Sequence, residues 1–171
     1  MKHIKFLSLA IIFVMAFAAC APAQADQANK TEQAEPTEQT AKQADRVLKP
    51  TSDTQLRPDM KPDQVTVIDF NATWCGPCKF FAPIFHKASN KFNNAKFYSV
   101  DTDEYGQTAS AFGIQAIPTI VIISPSGKTQ TIVGIGDELT AGISEDATDE
   151  QFEQAVYDNF CKLIMKAIAN K

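Results

Sequence analysis

Two cysteines separated by two residues, Cys75-Gly76-Pro77-Cys78, are the densest concentration of reactive groups in the sequence. A CxxC pair can serve metal ligation or thiol chemistry. A structural zinc needs four ligands, and downstream of the N-terminal leader the chain offers Cys75, Cys78, Cys161, His86 and, if it is not lipidated, Cys20. No second CxxC or HxxxH pairs with the first, so no metal site is expected and thiol chemistry is the better use. A bare CxxC is nonetheless a weak signal. What the pair does depends on the elements that hold it.

Composition narrows the classes around that pair. The chain has 171 residues, four cysteines, 44% hydrophobic and 21% charged residues, and a net charge of −4. Four cysteines in this length are too few for a disulfide scaffold. The hydrophobic share is that of a globular protein rather than a disordered one. With no long basic run, no nucleic-acid partner is expected.

The elements follow from periodicity. Val65-Thr66-Val67-Ile68-Asp69-Phe70 is a β-branched run that reads as a buried strand. A helix opens at the CxxC, with Phe81, Ile84, Phe85, Ala88 and Phe92 at helical spacing and Pro83 predicting a kink. His86 falls off that stripe and reads as solvated. Lys96–Val100 is a second strand, Glu104–Phe112 a short helix, and Ile117–Ile123 a third strand with a proline at its start. Ser124-Pro125-Ser126-Gly127 supplies a turn into Thr129–Val133, giving a hairpin. An acidic loop, Gly136–Asp146, precedes a capping box at Thr148-Asp149-Glu150-Gln151 and a last helix. That helix carries Phe152, Val156, Phe160, Leu163, Ile164 and Ala167 on one face. Cys161 lies roughly 130° from the centre of this stripe, at ~100° per residue. It reads as a partly buried small side chain, with a modulatory or mixed-disulfide role as the alternative. The order β-α-β-α-β-β-α implies an α/β domain with a mixed sheet and helices on both faces.

Ahead of this domain, Met1-Lys2-His3-Ile4-Lys5 is a short basic region and Phe6–Ala19 a nearly unbroken apolar run. The run is shorter than the ~20 residues of a transmembrane helix and suits a secretory leader. Phe17-Ala18-Ala19-Cys20 resembles a bacterial lipoprotein box, which implies lipidation of Cys20; Phe17 departs from the usual aliphatic residue. The alternative is ordinary cleavage after Ala23 or Ala25. Removing residues 1–19 takes two basic and no acidic residues, leaving a charge of −6. Ala21–Asp45 has no aromatic residue and no Val, Ile, Leu or Met, so no apolar stripe would fix it to a body. The expected organisation is a signal peptide over 1–19, a disordered tether over 20–49 and one domain over 50–171. That places the protein in the periplasm or on the outer face of the membrane, lipid-anchored or, alternatively, soluble.

Asp69-Phe70-Asn71-Ala72-Thr73-Trp74-Cys75-Gly76-Pro77-Cys78-Lys79 resembles the active-site segment of the thioredoxin family, and Ile117-Pro118-Thr119 resembles its cis-proline segment. The resemblance covers roughly residues 60–135 and the last helix. It implies the thioredoxin fold, no cofactor, a monomer and a redox-active Cys75/Cys78 dithiol. A strand-to-helix junction places Cys75 at the positive end of the helix dipole, which lowers its pKa below the free value of about 8.5. Cys75 would attack a substrate disulfide, and Cys78 would resolve the mixed disulfide. The resemblance assigns Asp69 the proton of the resolving thiol. It makes Trp74, Gly76, Pro77, Ile117, Pro118, Gly134 and Ile135 the rim on which an extended substrate docks.

Two departures matter. Asn71 stands where the family commonly has a second tryptophan, which would loosen packing beneath the site. The family often sets a lysine near the buried aspartate, and alignment puts Phe97 there, so Asp69 should hold its proton more strongly. Pro77 beside the second cysteine resembles the low-potential members. Thioredoxin at about −270 mV and the oxidant DsbA at about −120 mV differ by roughly 7 kcal/mol, enough to decide direction. The expected activity is reduction of disulfides in exported proteins, with electrons from a membrane thiol donor. The alternatives are a periplasmic oxidant or isomerase, and a redox-inert binding module on the same scaffold.

Overall fold

The computed structural model describes residues 46–170. The leader, Cys20 and nearly all of the segment read as a tether lie outside the described residues. The elements run β1 (Val47–Leu48), β2 (Val65–Asn71), α1 (Gly76–Lys91), β3 (Ala95–Asp101), α2 (Gly106–Ala111), β4 (Thr119–Ile123), β5 (Thr129–Val133), α3 (Asp137–Thr140) and α4 (Asp149–Ala169). The five strands form one sheet in the order β1-β3-β2-β4-β5. β1 and β2 run parallel to β3, whereas β4 runs antiparallel to both β2 and β5. This is the thioredoxin fold.

β2 is the central strand, and alternation along it assigns each side chain to a layer. Val65 and Val67 face a core shared with α1 and α4, where Phe81, Phe85 and Phe160 meet. The Phe81 and Phe160 rings meet edge-on at 5.1 Å, as do those of Phe85 and Phe97 at 5.2 Å. Ile68 and Phe70 face the opposite core, with Leu56, Tyr98, Val100 and Ala109 of α2. Asp69 therefore belongs to the α1 face, and that single parity decision positions the site.

Local signals place several elements as expected. Thr148 and Gln151 cap α4 reciprocally, the Gln151 N–H donating to Thr148 Oγ1 at 3.3 Å and the Thr148 N–H to Gln151 Oε1 at 2.9 Å. β4 and β5 form the hairpin. Pro83 sits inside α1, which continues past it to Lys91.

Three expectations need correction. Ordered structure starts before residue 50: Val47 and Leu48, inside the stretch assigned to the tether, pair with Phe97 and Tyr98. Two residues are too short to carry a periodic pattern, and only the exposed edge of β3 makes them a strand. The acidic loop contains a helical turn, α3, because Asn159 of α4 donates to the carbonyls of Leu139 (2.9 Å) and Ala141 (3.0 Å) and Leu139 is buried. Cys161 is fully rather than partly buried, since α4 is covered by α1 as well as by the sheet, which widens its apolar arc. Burial holds the Cys161 thiol above its ordinary pKa.

Candidate active site

The β2–α1 junction builds the reactive end. β2 delivers the chain at Asn71, and four residues later Cys75, in extended conformation, caps α1. Its Sγ accepts a hydrogen bond from the Cys78 N–H at 3.2 Å. Pro77 in the first turn has no N–H to offer and suits that position by its fixed φ. Two intervening residues in one helical turn hold the cysteine Cα atoms 5.3 Å apart, and the pair is joined as a disulfide. Both cysteines are buried and pack with Ala72 and Ile117 in a small cluster of their own. When the pair is reduced, the same helix terminus offers its amides and dipole to a Cys75 thiolate.

The other expected rim residues gather around this pair. Ile117-Pro118 is a cis peptide, and the Pro118 carbonyl accepts from the Gly134 N–H at 2.7 Å, tying the loop before β4 to the end of β5. Gly134 has φ +66°, a conformation that disfavours any side chain. Trp74 is 67% exposed beside Cys75, with its indole Nε1 donating to Asp103 Oδ2 at 2.8 Å. Gly76 and Pro77 are exposed at the start of α1. Pro118 is buried, and Ile135 is half-buried and packed on the main core.

Behind the disulfide, Asp69 is 3% exposed on the α1 face of the sheet. It shares a cleft of about 300 Å³ with Asn71, Cys78, Lys79, His86 and Ser99. Lys79 and His86 are exposed and mark the cleft's solvent side. The Asp69 Oδ2 accepts from Asn71 Nδ2 at 3.0 Å, while its Oδ1 is buried without a hydrogen-bond partner among the described residues. Burial pushes the Asp69 pKa up to about 7, and the Asn71 hydrogen bond works in the opposite direction. A buried carboxyl titrating near neutrality, in the same cleft as Cys78, is chemically suited to accept a thiol proton.

Both departures noted in the sequence change meaning here. Phe97 is not directly opposite Asp69: the register pairs Phe97 with Val67 and Ser99 with Asp69, which leaves Phe97 a diagonal neighbour on the same face. Phe97 instead packs on Phe85. Asn71 is no packing defect, because its amide bonds Asp69 and the Ser99 hydroxyl. Ser99 and Asp103 are site residues the sequence reading missed. Nothing local marks either one.

Comparison with known proteins places this arrangement among relatives. A family model described as Thioredoxin matches residues 47–145. The chain is 43% identical over 99 residues to a thioredoxin of Borreliella burgdorferi, covering 57% of this chain and 75% of that protein. It is 46% identical over 86 residues to a thioredoxin of Malassezia sympodialis, covering 48% of this chain and 82% of the relative. A solved thioredoxin from Nicotiana alata superposes with a TM-score of 0.52 at 28% identity, covering 72% of this chain and 93% of that one.

Proposed function

The chain belongs to the thioredoxin family and is a thiol-disulfide oxidoreductase with a Cys75/Cys78 pair; from that premise we propose that it reduces disulfides of proteins outside the cytoplasm. The observation that carries the chemistry is the Cys75–Cys78 pair at the start of α1, beside the cis Ile117-Pro118 loop. Export rests on the basic start and apolar run of the leader, and lipid anchoring on the Phe17–Cys20 box. Re-reduction by a membrane thiol donor completes the cycle, since the surroundings there are oxidising.

In this reading an extended substrate segment lies against Trp74, Gly76, Pro77 and the Ile117–Pro118 loop, with Gly134 and Ile135 at the far rim. The Cys75 thiolate attacks one sulfur of the substrate disulfide and displaces the other as a thiolate. Asp69 takes the proton of Cys78, whose thiolate then attacks Cys75 Sγ. The second substrate sulfur leaves as a thiolate and the Cys75–Cys78 disulfide forms. The substrate gains two electrons and the dithiol loses two.

Alkylation trapping of the Cys75/Cys78 pair in intact cells tests the direction. A pair that is reduced in the presence of the membrane donor and oxidised without it supports the reductase. A pair oxidised in both conditions overturns it. Insulin-disulfide reduction by wild type and its loss in Cys75→Ser test the chemistry itself.

A further inference from the structure

Asp69, Asn71 and Ser99 form a polar triangle behind the redox pair. Asp69 and Asn71 are two apart on β2, so their side chains leave the same face of the sheet. Ser99 is opposite Asp69 on parallel β3 and shares that face. The Asn71 Nδ2 donates to Asp69 Oδ2 (3.0 Å), Asp69 O (3.1 Å) and Ser99 Oγ (2.8 Å). The backbone carbonyl of Asp69 can only accept, which requires the amide NH₂ to face it. An amide hydrogen bonded to a carboxyl oxygen favours the charged form. It also leaves Oδ1, buried and without a hydrogen-bond partner among the described residues, on the carboxyl that shares a cleft with Cys78.

We propose that Asn71 is the positioning residue of the proton-transfer step: its amide orients the Asp69 carboxyl, leaves Oδ1 open to the Cys78 thiol, and sets the pH at which the resolving step runs. The proposal rests on the reductase reading and concerns the second half of its cycle. There the Cys78 S–H proton passes to Asp69, the Cys78–Cys75 S–S bond forms, and the Cys75–substrate S–S bond breaks with the electron pair leaving on the substrate sulfur. The oxidant is the mixed disulfide and the reductant the Cys78 thiolate, so no further reagent is required.

The groups around Asp69 on other elements are few. α1 contributes Cys78, Lys79 and His86 to the cleft. β3 contributes Ser99, with Asp101 in register with Asn71 at the strand end. β4 presents apolar Ile120 opposite Asp69, and α4 meets this face of the sheet through Val156, Phe160 and Ile164. Against that largely apolar lining, the Asn71 amide supplies a hydrogen bond that holds the charge of the carboxyl.

The test is a carboxyl-carbon NMR titration of Asp69 in the oxidised full chain, with no substrate present. In Asn71→Leu, similar in shape but without a donor, the Asp69 midpoint should rise by roughly one pH unit. The acid limb of insulin-disulfide reduction should move upward by the same amount, so that turnover falls at pH 7 and recovers above pH 9. Asn71→Gln, which keeps an amide, should lie between the two. If Asn71→Leu does not fold, Asn71→Ala removes the same donor and carries the titration. An Asp69 midpoint that is unchanged in the donor-less variant overturns the proposal. Because the titration needs no turnover, a wild type that fails to reduce insulin would sink the reductase reading and leave this result readable.

Discussion

The indole of Trp74 is two-thirds exposed, yet its Nε1–H is held by the Asp103 carboxylate at 2.8 Å, across 29 residues of sequence. An exposed tryptophan beside a disulfide would otherwise sample several rotamers. The carboxylate, carried on the turn after β3, selects one. A shallow groove follows, in which Trp74 meets Thr102, Ala109, Ile114 and Ile117. The ring is thereby set in advance as one wall of the proposed docking surface.

Asp103→Ala should release the ring. A hydrogen bond of this exposed kind contributes on the order of 1 kcal/mol, so kcat/KM for a protein disulfide should drop about two- to fivefold. Reaction with a small aromatic disulfide, which needs no wall, should be nearly unaffected. Trp74 is the single tryptophan in the chain, so intrinsic fluorescence reports the ring directly. Equal losses on both substrates would show that Asp103 acts otherwise than through the ring.

Asp69 should make stability depend on pH in a defined direction. Its pKa is about 7 in the folded state against an ordinary value of 3.8. A carboxyl with a raised folded pKa contributes stability that is complete below the unfolded value and is lost as pH rises through the folded one. Asp69→Asn should therefore stabilise the oxidised protein at pH 8.5 by up to about 4 kcal/mol relative to its effect at pH 4. Urea denaturation at the two pH values measures this. The same increment at both would mean that Asp69 does not titrate between them.

Phe97→Lys separates alignment from register. Alignment alone suggests that a lysine here would pair with Asp69 and lower its pKa. The register instead sets residue 97 opposite Val67 and its ring against Phe85 in the main core. Losing that ring and burying an ammonium should cost at least about 3 kcal/mol, seen as a lower urea midpoint. A variant of undiminished stability with a lowered Asp69 midpoint would show that the lysine reaches the carboxyl after all.

The contrast at position 97 marks the boundary between what was legible in the sequence and what was not. The CGPC segment after a β-branched strand, the Ile-Pro-Thr segment, the hairpin turn and the Thr148/Gln151 cap are written in neighbouring residues. Each is decided by contacts within a few positions, and so the fold class and the reactive pair could be read directly. Phe97 and Ser99 share a face of β3, so a period-two pattern cannot say which one stands beside Asp69. Only pairing with β2 decides that. Likewise β1, α3 and the burial of Cys161 arise from the edge of β3, from Asn159 and from α1, all remote in sequence. The sequence by itself determined the chemistry on offer: two thiols at a helix start, with an aspartate in the strand before them. Tertiary structure decided the company that aspartate keeps, because its burial, its Asn71 donor and its Ser99 neighbour are consequences of strand register rather than of local pattern.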